Sequence, residues 1–268
     1  MRIGLLALDL DDTLLKRDLS ISPRNRRALK KAEKRGVIVV LASGRIPHSM
    51  QRYVRELDMH RREGFLIANN GATIQRTDTH EVTAAHLMPA GLCAEVHAFL
   101  AGRGFPLHLY GERTLYASAD NAWADLDCRM TCLEKAVMPD IAARYERGCA
   151  KFVVPGEPAG LRGLMAELRQ AFAGRVNVLI SKPYFLEVLP PEADKGLALA
   201  ELAGLLSIPR DAVMAMGDSL NDRGMIEYAG WGVAMANALP EIKAAARLVS
   251  ERSHEDDGVA EVIEKYII

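Results

Sequence analysis

Asp9, Asp11 and Asp12 fall within four consecutive residues, directly after the apolar run Ile3 to Leu8. A run of that length suits a strand buried on both faces. Such a strand cannot carry acids in its interior, so they must emerge at its C-terminal end, where open α/β sheets place their ligands. Like charges packed this closely repel one another, and a hard divalent cation that takes carboxylate oxygens is the usual compensation. A solvated acidic turn after a strand would give the same local pattern, so the reading depends on what the rest of the chain supplies.

Three further pieces supply it. Gly217-Asp218-Ser219-Leu220-Asn221-Asp222 follows the apolar run Ala212 to Met216 and puts two more carboxylates at the end of a second candidate strand. Lys195 precedes a helical stretch in Ala193-Asp194-Lys195-Gly196, and Ser43 closes a third candidate strand in Val39-Val40-Leu41-Ala42-Ser43-Gly44-Arg45. Each piece alone reads as an ordinary loop. Together, in this order and each at a strand end or helix start, they describe one site.

The residues Asp9 to Thr13 (DLDDT), Ala42 to Arg45 (ASGR), Asp194 to Gly196 (DKG) and Gly217 to Asp222 (GDSLND) resemble the four motifs of the haloacid dehalogenase superfamily of phosphotransferases. Asn69 to Ala72, Val233 to Met235 with Asn237-Ala238, and Glu255 to Ala260 extend the likeness to the Cof-like sugar-phosphatase subgroup. Specific motifs cover both ends of the chain, and the middle matches in pattern only. Asp12 stands where Gly is usual in the family.

The resemblance implies a Mg²⁺-dependent phosphatase of small phosphorylated metabolites, sugar phosphates by preference. Asp9 would be the nucleophile that forms an aspartyl-phosphate. Asp11 would be the general acid and base. The metal would be held by the Asp9 side chain, the Asp11 backbone carbonyl and Asp218, with Asp222 acting from behind. Ser43 and Asn221 would donate hydrogen bonds to phosphoryl oxygens, and Lys195 would supply positive charge to Asp9 and the developing anion. Arg45 would reach the phosphate or the substrate body, unless it serves only in a surface pairing.

The elements that must position these residues read as alternating strands and helices through the first 82 residues, which implies a parallel sheet. Ser22-Pro23 starts a helix, Val37 to Leu41 and Phe65 to Ala68 are strands, and Asn70-Gly71 marks a tight turn. From about Thr83 the pattern changes: a helix over 90–101, paired strands around Gly111, a helix over 121–133, a strand over 150–154, a helix over 159–172 and a hairpin turned at Lys182-Pro183. This is an α+β layer with an antiparallel sheet. The core pattern resumes near Ala193, with strands at 213–216, 232–234 and 248–249 and a closing helix over 258–267. The expected architecture is therefore a Rossmann-like α/β core of three layers, formed by 1–82 and 190–268. Residues 83–189 form an inserted α+β domain, which the resemblance identifies as a substrate-selecting cap.

Composition bounds the remaining choices. A formal net charge of −1 argues against a nucleic-acid partner that depends on a basic surface. No apolar run approaches the ~20 residues that span a bilayer, and the strand-like N-terminus is not a signal peptide, so a cytoplasmic protein without a membrane partner is expected. The four cysteines, Cys93, Cys128, Cys132 and Cys149, lack zinc-site spacing and read as reduced thiols. Two competing functions remain. A phosphomutase would need a basic phosphate-binding cluster in the insert, for which Arg113, Arg129, Arg144, Arg147 and Lys151 are candidates. A sugar-phosphate-binding regulator would have no use for an intact nucleophile and acid. The particular substrate and the oligomeric state are not encoded in these patterns.

Overall fold

The structure, a computed structural model, describes residues 2–268. The chain divides into two compact units, one formed by the chain up to Ala84 together with Asp194–Ile268, the other by Ala85–Ala193. No helix among the described residues is long and apolar enough to cross a membrane.

The first unit begins with β1 (Leu5–Asp9), α1 (Pro23–Lys34), β2 (Ile38–Ala42), α2 (Pro47–Glu56), β3 (Phe65–Ala68), β4 (Thr73–Arg76) and β5 (Val82–Ala85). The second unit holds α3 (Ala90–Ala101), β6 (His108–Tyr110), β7 (Thr114–Ala117), α4 (Ala122–Thr131), β8 (Glu134–Val137), β9 (Phe152–Pro155), α5 (Pro158–Ala171), β10 (Asn177–Lys182) and β11 (Phe185–Leu189). The first unit resumes with α6 (Lys195–Leu205), β12 (Val213–Gly217), α7 (Arg223–Tyr228), β13 (Trp231–Ala234), α8 (Pro240–Ala245), β14 (Leu248–Val249) and α9 (Gly258–Tyr266).

All five residues of β1 are buried. Side chains alternate across a strand, so Leu6 and Leu8 enter one apolar core and Leu5 and Ala7 the other. The first core is filled by Ala28, Leu29 and Ala32 of α1, by Met50, Tyr53 and Val54 of α2, and by Val259, Val262 and Ile263 of α9. The second is closed by Ala198, Leu199, Leu202 and Ala203 of α6. The result is a sheet covered on both faces, with strand order β14-β13-β12-β1-β2-β3-β4-β5. It is parallel from β14 to β3, and β4 turns back antiparallel to β3. Because β12, β1 and β2 are parallel neighbours, with Leu8 opposite Met216 and Asp9 opposite Ala42, their C-terminal ends lie side by side in the middle of the sheet. Asp9, Ser43 and Asp218 leave the sheet there together.

The second unit builds one six-stranded sheet in the order β10-β11-β9-β6-β7-β8. Cys93, Val96 and Leu100 of α3 and Leu161, Leu164 and Leu168 of α5 pack with Leu109, Phe152, Val154, Leu186 and Val188 from the strands. The expected antiparallel sheet is found except at its edge, where β8 runs parallel to β7. Sequence patterning passes over β8 because the strand is short, carries Glu134 and Lys135, and is largely exposed. The expected helix over 121–133 stops at Thr131, because Cys132 takes a left-handed conformation with φ 59°. The expected seams also shift. β5 continues the first sheet to Ala85, and at the other end the Asn177 side chain donates to the Ala193 carbonyl at 3.0 Å, tying the residues after β11 to β10. Of the basic residues considered for a second phosphate site, Lys151 is buried against Glu187 at 3.1 Å and Arg144 lies over the Tyr116 ring at 3.9 Å.

Candidate active site

Lys195 is the first residue of α6 and is fully buried. Its position follows from the helix start: the Asp194 carboxylate accepts from the amides of Gly196 at 2.7 Å and Leu197 at 2.9 Å, a side-chain cap of the first turn. Two glycines let this turn approach its neighbours. A Cβ on Gly196 would stand 2.3 Å from the Gly224 carbonyl carbon in α7. Gly71, at φ +103°, lies so close to Asp194 that a Cβ would meet its carbonyl oxygen at 2.3 Å.

The Lys195 ammonium donates to one oxygen of Asp9 and to one oxygen of Asp222, each at 2.6 Å. The other oxygen of Asp222 accepts from the amides of Asp218 and Ser219, both at 3.0 Å. Asp222 is thus fully buried and committed on both oxygens, and it shapes the turn that carries Asp218. Carboxylate oxygens of Asp9, Asp218 and Asp222 all lie within 4.8 Å of one another. Thr13 donates its hydroxyl to Asp218 at 3.0 Å.

The electrostatics follow from this crowding. Burial, and then the charge of Asp222, push the Asp9 carboxyl well above the usual carboxylate range, against the pull of Lys195. Burial and Asp222 likewise push Asp218 up to about 7. Burial opposes the charge of Lys195, but Asp222 and Asp9 more than offset it, so the ammonium holds its proton above the ordinary lysine range. When ionised, three carboxylates around one buried ammonium leave a surplus of negative charge, and together with burial that surplus is what raises Asp9 and Asp218.

The Asp11 carboxylate is outside this trio. Arg45 grips it with two bonds, Nε to Oδ2 at 2.9 Å and Nη2 to Oδ1 at 2.6 Å. As a side chain, therefore, Asp11 does not join Asp9, Asp218 and Asp222 as a metal ligand, and the Arg45 fork is occupied by a carboxylate of the site. Asp12 has φ 59°, in the left-handed region where Gly is the least strained residue and Asp is among the better tolerated alternatives. Asn237 donates to the Asp12 carbonyl at 2.8 Å.

Ser43 is buried, with its backbone amide on the Ile67 carbonyl and its hydroxyl oxygen accepting from the Arg45 amide at 3.2 Å. Asn221, on an exposed turn, donates to the Asn70 side-chain oxygen at 3.0 Å. Asn70 and Thr13 are contacts whose roles the sequence did not assign. Asn70 read as a turn residue, and it does adopt φ 55°, but it is also buried and its backbone amide donates to the Ser43 carbonyl. The signal was present in Asn69-Asn70-Gly71, since a buried left-handed Asn keeps its amide available to neighbours. All four cysteines are free, and among the described residues no His or Cys joins a metal-ligating group.

The profile of the haloacid dehalogenase-like hydrolases matches residues 6–263. The phosphatase candidate YxeH of Bacillus subtilis is 32% identical over 98% of both chains. The 5-amino-6-(5-phospho-D-ribitylamino)uracil phosphatase YcsE of Bacillus subtilis is 31% identical over 99% of this chain and 96% of its own. Among solved structures, a haloacid dehalogenase-like hydrolase from Bacteroides thetaiotaomicron superposes with a TM-score of 0.91 at 30% identity, covering 98% of this chain and 99% of that one.

Proposed function

The chain belongs to the haloacid dehalogenase-like hydrolases and is a phosphoric monoester hydrolase; from that premise we propose that it is a Mg²⁺-dependent phosphatase of small phosphorylated metabolites, sugar phosphates among them, working through an aspartyl-phosphate on Asp9. The observation that carries this reading is the buried Lys195 held between Asp9 and Asp222 beside Asp218, a site short of positive charge. Oxygen donors at this spacing suit a hard cation. Asp9 and Asp218 would hold it with the backbone carbonyl of Asp11, while Asp222 is spent on Lys195 and two amides. When bound, Mg²⁺ neutralises charge on Asp9 and on the phosphoryl oxygens.

Uncatalysed hydrolysis of phosphate monoesters is among the slowest of biological reactions, because an anion must approach an anion. Lys195 lowers that barrier by holding positive charge on the Asp9 carboxylate. Asp9 attacks phosphorus in line with the departing ester oxygen. Asp11 gives a proton to that oxygen, then takes one from the water that opens the aspartyl-phosphate. Ser43 and Asn221 donate to the phosphoryl oxygens during both steps. The inserted unit, residues 85–193, would select the substrate by contacts to the part of the molecule away from the phosphate. The YcsE relative is a phosphatase of a 5-phospho-D-ribityl compound, a phosphorylated polyol, which supports a polyhydroxylated phosphate ester as the substrate class.

The test is a screen of sugar, polyol and nucleoside phosphates with detection of released phosphate, with and without a chelator. Phosphate should be released from a subset of polyol or sugar esters, and the chelator should stop it until Mg²⁺ is restored. Full turnover in rigorously metal-free protein, or release from none of the esters, would overturn the proposal.

A further inference from the structure

We propose that Arg45 is a positioning residue for Asp11 and is not a ligand of the substrate phosphate; this rests on the phosphatase reading above. Two bonds of 2.9 and 2.6 Å join the guanidinium to both oxygens of the Asp11 carboxylate. A planar fork of this kind fixes the plane of a carboxylate as well as its position, which a single ammonium cannot do.

The backbone around Arg45 shows that the fork is aimed. Its amide donates to the Ser43 hydroxyl oxygen at 3.2 Å and its carbonyl accepts from the Asn69 amide at 2.9 Å. Residue 45 is therefore held on both sides just past the end of β2, and the direction in which its side chain departs is set. The guanidinium carbon then lies 5.9 Å from the centre of the Tyr53 ring, a fully buried side chain of α2. The Arg45 side chain is 21% exposed, against 40% for Asp11. The more sheltered member carries the cation, and the more open member sits on the turn after β1, where no helix or extended strand restrains its rotamer.

Charge matching supports the same assignment. Lys195 already serves Asp9 and Asp222. Because both oxygens accept from the guanidinium, the fork holds Asp11 as a carboxylate, the form that takes the proton from the attacking water, and a phosphate competing for Arg45 would remove that partner. In the structure the chain provides one cation for the nucleophile and another for the acid–base group.

The experiment compares p-nitrophenyl phosphate, whose leaving group departs without a proton, with an alkyl ester such as glycerol phosphate, whose alkoxide needs one. Single-turnover labelling of the protein and decay of the label are followed in wild type, Arg45→Ala, Arg45→Lys, Asp11→Asn and the double variant Arg45→Ala with Asp11→Asn. If Arg45 positions Asp11 as the base, Arg45→Ala leaves labelling by either ester little changed and slows loss of the label to water on the order of 10²-fold. Arg45→Lys keeps the charge without the fork and recovers only part of that rate. Adding Arg45→Ala to Asp11→Asn then costs nothing further, because the two residues act as a unit. If Arg45→Ala slows both esters equally and raises both KM values by one factor, or if its cost adds to that of Asp11→Asn, Arg45 binds phosphate and the inference is overturned. Failure of the phosphatase reading itself looks different: wild type would take no label from either ester.

Discussion

The Lys195 ammonium meets a carboxylate oxygen of Asp9 at 2.6 Å across 186 positions of sequence, and the lysine is wholly removed from solvent. Breaking a buried ion pair by deleting one partner usually costs about 3–5 kcal/mol, because the other charge is left uncompensated. Lys195→Met leaves Asp9 and Asp222 in that state. The variant should be destabilised by roughly this amount at pH 8 and by less at pH 5, where the carboxyls can take up protons. Urea unfolding at the two pH values measures it. Equal stability of variant and wild type at pH 8 would show that the pair carries no such cost.

Asp218 gives a pH dependence of known sign. Its carboxyl is raised to about 7 in the folded chain, so between the ordinary Asp value and about 7 the native state holds a proton that the unfolded state has released. Stability of the metal-free protein should therefore fall as pH rises from about 4 to about 7 and level off above. At the proposed metal site Mg²⁺ would compete with that proton, so its stabilising effect should grow from pH 5 to pH 8. Thermal midpoints with and without Mg²⁺ across this range are the measurement, and Asp218→Asn should flatten the slope. A Mg²⁺-induced shift that is the same at pH 5 and pH 8 would contradict the assignment.

The proposed roles of Asp9 and Asp11 separate in a rapid-quench assay. Asp9→Asn should take up no phosphoryl label from any ester. Asp11→Asn should still be labelled by an aryl phosphate and then stall, since activation of the attacking water is lost, a deficit of roughly 10²–10⁴-fold. In a phosphomutase the label would pass to an added sugar phosphate and give a bisphosphate, and a binding regulator would take up no label in any form. Equal labelling of both variants would mean that Asp9 is not the nucleophile.

Gly196 sets the approach of α6 to α7, since a Cβ there would stand 2.3 Å from the Gly224 backbone. Gly196→Ala must push the helices apart, and overpacking of this kind typically costs about 1–3 kcal/mol. Because Lys195 is the adjacent residue and its two contacts are both 2.6 Å, a small displacement should also weaken labelling of Asp9. Gly204→Ala, in the same helix with no atom within 4 Å of the added Cβ, is the control and should be neutral or slightly stabilising. If the two substitutions behave alike, the close approach is not what positions Lys195.

Excision tests the proposed role of the inserted unit. The chain crosses between units only after Ala84 and after Ala193. Replacing 85–193 with a short linker should leave a folded first unit, because each unit has its own apolar core. Hydrolysis of p-nitrophenyl phosphate should persist at a reduced rate, and discrimination among sugar phosphates should disappear. A truncated chain that discriminates as well as the intact one would remove substrate selection from the insert.

Much of the architecture was legible because it depends on local chemistry. The buried run of β1, the Ser22-Pro23 helix start and the change from strand–helix alternation to paired strands are properties of neighbouring residues, and each reads without a partner. The sequence also singled out Asp9, Lys195, Asp218 and Asp222, which the fold brings together, because each lies in a polar segment at a strand end or a helix start. β8 escaped notice for the opposite reason: Glu134 to Val137 has no strand character of its own and is extended because β7 offers a parallel edge to pair with. The partner of Arg45 was equally hidden. Sequence alone allowed it a phosphate, a substrate or a surface acid, and the choice of Asp11 comes from the backbone bonds that aim residue 45 past the end of β2. The candidates for the reactive groups are thus named by residue types and their order along the chain. Which groups hold one another, and which remain to meet a substrate, was decided by tertiary structure, because hydrogen bonds of 2.6 to 3 Å depend on side-chain directions that only the packed sheet and its helix ends determine.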